Sequence, residues 1–193
     1  MQQRVTTTHL EMTDRGQLRA ARPAATAPQV TRVAIPLPEL NRFLYAAVGA
    51  DWNWYSKQPW DYARWLAYVD RPELETWIGY VSGTPAGYFE LERQDGGNVE
   101  LAYFGLLPRF IGQGIGGALL TAAITRGWDM GAARVWVHTC SLDHPKALAN
   151  YQARGFRVFR VEDKIEELPD EPLEPWPGAR VTPEHRRNHA CGR

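Results

Sequence analysis

Cysteine is scarce: Cys140 and Cys191 are the only two in 193 residues. A disulfide scaffold needs more, and a zinc site needs clustered ligands, so neither is expected. A reducing, cytoplasmic setting is the simplest expectation. Long apolar runs are also missing. None approaches the roughly 18 residues needed to span a bilayer, and the N-terminus lacks the apolar core of a signal peptide. No membrane partner is expected. Arg4, Arg15, Arg19 and Arg22 hint at a transit peptide, but Glu11 and Asp14 argue against one. Excess charge of either sign is absent: 22 Lys and Arg balance 22 Asp and Glu. A protein that grips duplex nucleic acid carries a basic excess, so nucleic acid is not an expected partner.

The chain is 44% hydrophobic, enough to build one domain with a proper core. Residues 1–28 are rich in Thr, Ala, Arg and Pro without sustained apolar periodicity and read as a flexible N-terminal arm. Residues 163–193 contain five prolines and an acidic patch, and read as a C-terminal tail whose Leu168, Leu173 and Trp176 could dock on the domain. The folded domain is therefore expected over 29–162. Within it, a strand at Val30–Ile35 precedes helical patterns at Pro38–Val48 and from Pro59 onward. Ser82-Gly83-Thr84-Pro85 marks a hairpin between Trp77–Val81 and Gly87–Leu91, and a second turn at Gln94–Asn98 leads into Val99–Leu107. Gly114–Met130 is the strongest helix, with Leu119, Leu120, Ala123, Ile124 and Trp128 on one stripe. A strand at Arg134–Thr139, a helix at Pro145–Arg154 capped by Asp143, and a strand at Phe156–Val161 complete the order β-α-α-β-β-β-α-β-α-β. Hairpin-joined strands are antiparallel and helix-joined strands are expected as parallel neighbours, giving a mixed α/β sheet covered by helices.

The most informative stretch is Leu107 to Leu120, whose glycines at Gly112, Gly114 and Gly116 lead into the strongest helix. Glycines leave backbone N–H groups uncovered, and the helix start adds the positive end of its dipole. Together they suit an anion such as a pyrophosphate. The Gly-Lys-Ser or Gly-Lys-Thr of a P-loop is missing: Gly116-Gly117-Ala118 stands there. Gly112, Gly114 and Gly117 satisfy G-x-G-x-x-G, but the loop follows a late strand. Val135-Trp136-Val137-His138 also stands where a dinucleotide fold needs an acidic residue.

Leu107-Pro108-Arg109-Phe110-Ile111-Gly112-Gln113-Gly114-Ile115-Gly116-Gly117-Ala118-Leu119-Leu120 resembles the acetyl-CoA pyrophosphate loop of the GNAT superfamily, Q/R-x-x-G-x-G/A, through Ile111, Gly114 and Gly116. Ile111 stands where Gln or Arg is common. Ala147 to Phe156 is similar to a second pattern of that superfamily, A-x-x-x-Y-x-x-x-G-F, with His144 where Asn is frequent. The resemblance implies the GNAT fold and transfer of an acetyl group from acetyl-CoA to an amine acceptor. It requires no metal, and a homodimer is a common partner in the superfamily. It implies that Gly112, Gln113, Gly114, Ile115, Gly116, Gly117 and His144 bind the coenzyme. It also implies that a backbone N–H near Phe104 to Leu107, at Leu106 or Leu107, meets the thioester carbonyl.

Acetyl transfer to an amine needs a proton acceptor, donors for the oxyanion and an acid for the leaving thiolate. Tyr151 aligns with the tyrosine that protonates the thiolate; the alternative is a tyrosine that packs the last helix on the sheet. Glu100 is the candidate base; the alternative is a solvated or Arg-paired strand-end carboxylate. Cys140 with His138 or His144 could form a nucleophilic pair, but a buried small residue is the favoured reading of Cys140. No second cluster makes His138, His144 and Asp143 a metal site. Trp52 and Trp54 are candidates for an aromatic acceptor pocket suited to a cation, with Trp65 and Tyr62 assigned to core. The expected function is N-acetyl transfer to a primary amine of a small molecule by direct attack in a ternary complex. The alternatives are a non-catalytic acyl-CoA sensor, another acyl-CoA, or a protein N-terminus or lysine as acceptor.

Overall fold

The two turns expected from the sequence build the first half of the sheet. A computed structural model describes residues 1–23, 26–169 and 174–176. Its strands are β1 (Gln2–Met12), β2 (Gln29–Arg32), β3 (Leu74–Val81), β4 (Thr84–Gln94), β5 (Asn98–Leu106), β6 (Arg134–Cys140) and β7 (Arg157–Glu167). Its helices are α1 (Pro38–Gly49), α2 (Tyr62–Val69), α3 (Ile115–Asp129) and α4 (Ala147–Ala153). Ser82 and Gly83, both at positive φ, close the β3–β4 hairpin. The strands form one sheet in the order β2-β3-β4-β5-β6-β1-β7. All neighbours are antiparallel except β5 and β6.

From β2 onward the elements follow the expected order. The difference lies at the N-terminus. Residues 2–12, expected as a flexible arm, form an interior strand that pairs with β6 on one side and β7 on the other. Val5, Leu10 and Met12 are buried. Thr6-Thr7-Thr8 hid this strand, because threonine counts as polar in composition yet its branched Cβ favours extended backbone. β6 and β7 are consequently not the parallel neighbours that their connecting helix suggested: β1 separates them. β7 also runs to Glu167, so residues 163–167, expected in the tail, belong to the sheet. Of the docking residues expected there, Leu168 donates its N–H to Met1 O, and Trp176 stacks on Phe43. Leu173 and Cys191 lie outside the described residues.

Helices cover both faces. On one, Leu119, Leu120 and Ile124 of α3 and Tyr151 of α4 bury Leu10, Met12, Leu91, Leu101, Val135 and Val137. On the other, Leu44 and Val48 of α1 pack on Ile78 and Tyr88, and Trp65 and Val69 of α2 pack with Tyr45. The segment after β1 crosses the α3–α4 face, where Arg19 N–H donates to Arg154 O. It passes so close to Gly155 (φ 104°) that a Cβ there would lie 2.0 Å from Gln17 O.

Leu10→Ala tests the integral role of β1. Its side chain is fully buried, so the substitution should cost about 3 kcal/mol in chemical denaturation. An N-terminal arm outside the core would show no change.

Candidate functional site

β5 and β6 pair over only three positions, Asn98 with Arg134, Val99 with Val135 and Glu100 with Trp136. Beyond Glu100 the strands part. The β4–β5 register skips Ala102, passing from Leu101 opposite Leu91 to Tyr103 opposite Glu90. A bulge of this kind bends its strand, here at the point of parting. The resulting cleft, about 610 Å³, is lined by β5 from Leu101 to Leu106 and by Val137, His138 and Cys140 of β6. The loop before α3, the loop before α4, and the connection after α1 close its ends.

The α3 start has the features of an anion cradle. Gly112 and Gly114 adopt positive φ of 86° and 80°. Gly114 precedes the first helical residue, and no side chain caps the helix. The first-turn amides are therefore free of internal side-chain acceptors. A Cβ on Gly112 would meet open space, so its requirement is conformational. Ile111, Gly112, Gly116 and Gly117 line the cleft. Arg154 lies against Gly117, its Nη1 2.8 Å from where a Cβ would stand. Its Nε is buried without a partner among the described residues. An unsatisfied guanidinium N–H beside a bare helix start fits a phosphate group. Of the other loop residues, Gln113 donates its side-chain amide back to Arg109 O, and Ile115 sends its side chain into the core.

The expected carbonyl-facing donors divide. Leu107 N–H donates to Ala86 O on β4, which removes it as a donor to the cleft. Antiparallel alternation then turns the Leu106 and Phe104 amides the other way, toward the parted edge. Leu106 and Phe104 line the cleft.

Tyr151 reaches the cleft from α4. It is 6% exposed and packs edge-on against Phe104 and Phe156. Burial, with a smaller contribution from Asp143, pushes its phenol above the usual value, which keeps it protonated. Asp143 does not cap α4 as expected. It accepts from Thr139 OH at 2.7 Å and Cys140 N–H at 2.9 Å, fixing the turn after β6. α4 begins after Lys146 without a side-chain cap.

Glu100 lies on β5, the strand expected for it. Its side chain is 13% exposed and turns behind the cleft wall, accepting from Gln94 Nε2 at 2.7 Å and lying 3.2 Å from His138 Nδ1. His138, not Glu100, lines the cleft. Cys140, expected as a buried small residue, also lines it and is half-buried. Burial raises its thiol above the usual value, which disfavours the thiolate. His138 pairs with Glu100 and offers Cys140 no activation. Among the described residues, no group of three or more His, Cys, Asp or Glu could hold a metal.

Trp52, Trp54 and His144 all line the cleft. The Trp52 and His144 rings meet edge-on at 5.0 Å, joining the loop after α1 to the loop before α4. His144 Nδ1 accepts from Lys146 N–H. Trp54 packs against Tyr45, Tyr88 and Tyr103.

The acetyltransferase (GNAT) family model matches residues 39–156, well over half of the 193-residue chain. The chain belongs to the GNAT acetyltransferase family. Uncharacterised N-acetyltransferases of Mycobacterium bovis and Mycobacterium tuberculosis are 29% identical to this GNAT protein over 147 residues, 76% of the chain and 85% of theirs. A GCN5-related N-acetyltransferase from Sphaerobacter thermophilus superposes with a TM-score of 0.58 at 18% identity, over 83% of this chain and 51% of that one. The chain thus spans about half the length of that structure, and 62% and 63% of two others that it matches. An aminoglycoside acetyltransferase from an uncultured soil metagenomic sample superposes with a TM-score of 0.55 at 16% identity, over 66% of this chain and 86% of that one.

The expected aromatic density is present, but this GNAT chain partly fills it itself. Lys57 Nζ sits 3.1 Å from the Tyr68 ring centroid, 4.7 Å from Trp60 and 4.9 Å from Tyr103. Trp65 is core, whereas Tyr62, expected there too, is exposed because α2 turns it to solvent. Behind Lys57, Glu90 is fully buried and accepts from Asn41 Nδ2 at 2.8 Å and Tyr68 OH at 2.5 Å. Burial holds its carboxyl above the usual carboxylate range. Burial also lowers the Lys57 ammonium to about 8, despite the attraction of Glu90 and Glu92.

A lysine whose pKa is lower in the folded state binds more protons when unfolded between the two values. Stability therefore rises with pH across that window. Lys57 should contribute a rise of roughly 2–3 kcal/mol between about pH 8 and its ordinary value of 10.5. Lys57→Met should flatten this rise in denaturation curves measured across that range and should not destabilise the protein at neutral pH.

Proposed function

We propose that the protein transfers an acetyl group from acetyl-CoA to a primary amine of a small molecule, by direct attack within a ternary complex. One observation carries this reading: a bare, uncapped helix start and a largely buried tyrosine line the same cleft between parted parallel strands.

The pyrophosphate of the coenzyme would lie on the amides of Gly112 to Gly117, beside Arg154. The pantetheine arm would run along the free edge of β5, where unpaired backbone groups can hydrogen-bond to it as a strand would. The thioester carbonyl would meet the Leu106 or Phe104 amide, which stabilises negative charge developing on its oxygen. The amine nitrogen would attack the carbonyl carbon, and collapse of the tetrahedral intermediate would break the C–S bond. Tyr151, kept protonated by burial, would donate its proton to the departing sulfur. Direct attack is favoured over an acetyl-cysteine intermediate because Cys140 lacks an activating partner. Trp52 and Trp54, with the carboxylates of Asp143 and Glu166 on the cleft lining, would attract and orient a cationic amine.

Calorimetry with acetyl-CoA and CoA tests the coenzyme site; no heat at millimolar ligand would end the proposal. A panel of primary amines, with aminoglycosides included because a structural relative acetylates them, tests transfer through release of free thiol. Tyr151→Phe should lower kcat roughly 10²-fold while coenzyme affinity stays unchanged. Coenzyme binding without turnover of any amine would identify a sensing module instead.

A further inference from the structure

We infer that His138 is the group that takes the proton from the acceptor amine, and that Glu100 is a positioning residue acting through it. This inference rests on the acetyl-transfer reading above and concerns the opposite side of the same cleft.

The geometry comes from the register of two parallel strands. Glu100 stands opposite Trp136, so His138 lies one repeat further along β6 on the same face, where the strands begin to part. His138 Nδ1 approaches Glu100 Oε1 to 3.2 Å. A carboxylate can only accept, so Nδ1 carries the hydrogen and Nε2 of the neutral ring is left as the acceptor. The imidazole is half-exposed and lines the cleft, whereas Glu100 is nearly buried and does not. Glu100 is held on its other side by Gln94, whose Oε1 in turn accepts from Trp136 Nε1 at 3.0 Å. The chain Trp136–Gln94–Glu100–His138 therefore ends on a single basic nitrogen.

Val135 and Val137 face the α3–α4 core, so His138 projects to the other face of the sheet, the face of Trp54 and Tyr103. Tyr151 approaches from the α3–α4 face. The base and the acid thus stand on opposite faces of the parted strands, an arrangement that suits direct attack on a thioester held between them. The protons balance. The ammonium gives one proton to His138 Nε2, the free amine attacks, and the nitrogen loses its second proton as the amide forms. Tyr151 protonates the sulfur and is reprotonated through solvent with that second proton, and His138 releases its own to solvent.

The charged surroundings of His138 are Glu100 from β5, Asp143 from the turn after β6, and His9 from β1, whose ring lies 5.9 Å away. Cys140 stands two residues along the same strand. Behind His9 stand Glu162, Arg160 and Lys164 of β7. The hydrogen bond to Glu100 holds the His138 imidazole above its ordinary value, while burial and His138 itself hold His9 below it. His138 thus becomes a free base only as pH rises through its raised pKa, and removing the Glu100 charge lowers that pKa.

The test uses full-length protein, acetyl-CoA and the best amine of the panel. His138→Gln should lower kcat roughly 10²-fold with coenzyme affinity intact by calorimetry. Glu100→Gln should move the acid limb of kcat/KM to lower pH. In NMR titration of the ligand-free protein it should lower the His138 pKa in step; Glu100→Asp should partly restore both. A His138→Gln enzyme as fast as wild type, or an acid limb unmoved in Glu100→Gln while wild type turns over, would overturn the inference alone. Failure of the wild type to acetylate any amine would overturn the acetyl-transfer reading and this inference with it.

Discussion

The site depends on a break in hydrogen bonding. After Glu100 and Trp136, β5 and β6 stop sharing a ladder, and the backbone groups along their facing edges lose their natural partners. Buried peptide groups without partners are costly, so a sheet does not open in its middle unless something holds each half. β5 is held by β4, which pairs with it along its whole length to Leu106. β6 is held by β1, which pairs from Met12 opposite Val135 to Thr7 opposite Cys140. The N-terminal strand is therefore what allows the cleft to exist: without it, the far half of β6 would have no neighbour on either side.

The interior holds two carboxylates in two different ways. Glu75 on β3 and Glu90 on the neighbouring β4 are both buried carboxylates, yet they shift in opposite directions. Glu75 receives a two-pronged hydrogen bond from Arg126 and another from Trp77 Nε1, with Arg32 nearby, and is held below the usual range. Glu90 receives only neutral donors, Asn41 and Tyr68, and burial wins. Lys57 is close enough to attract Glu90 without a direct bond and satisfies itself against aromatic faces. Cationic partners decide the first case and desolvation the second. The aromatic cage is thus part of the wall behind the cleft, its cation already supplied by the chain.

Much of this was legible in the sequence. The geometry of the loop from Ile111 to Gly117 can be read locally, because glycine at positive φ and an uncapped helix start are local properties. Tyr151, Trp52 and Trp54 reach the cleft because they sit on short elements that border it. What escaped was long-range. The Thr-rich β1 has little apolar signal of its own and becomes a strand only because β6 and β7 stand one strand's width apart. Glu100 and His138 meet through a three-residue parallel register that no periodicity within either segment reveals. The loss of Leu107 as a donor follows from hydrogen-bond parity against β4, again a property of the pairing.

That parity bears on the chemistry. Backbone N–H groups along β5 alternate between β4 and the cleft, so the bulge at Ala102 determines which residues present amides to the opening. It also turns Tyr103 toward the α1–α2 face and Phe104 toward Tyr151. One inserted residue therefore sets three things at once: where the strands part, which amides face the parted edge, and which aromatic side chains wall each side. A thioester entering from the helix-start side would meet its donor and its acid on that side. An amine would approach from the face of Trp54 and His138. On the acetyl-transfer reading proposed above, the two substrates would approach from opposite faces, as a ternary complex needs.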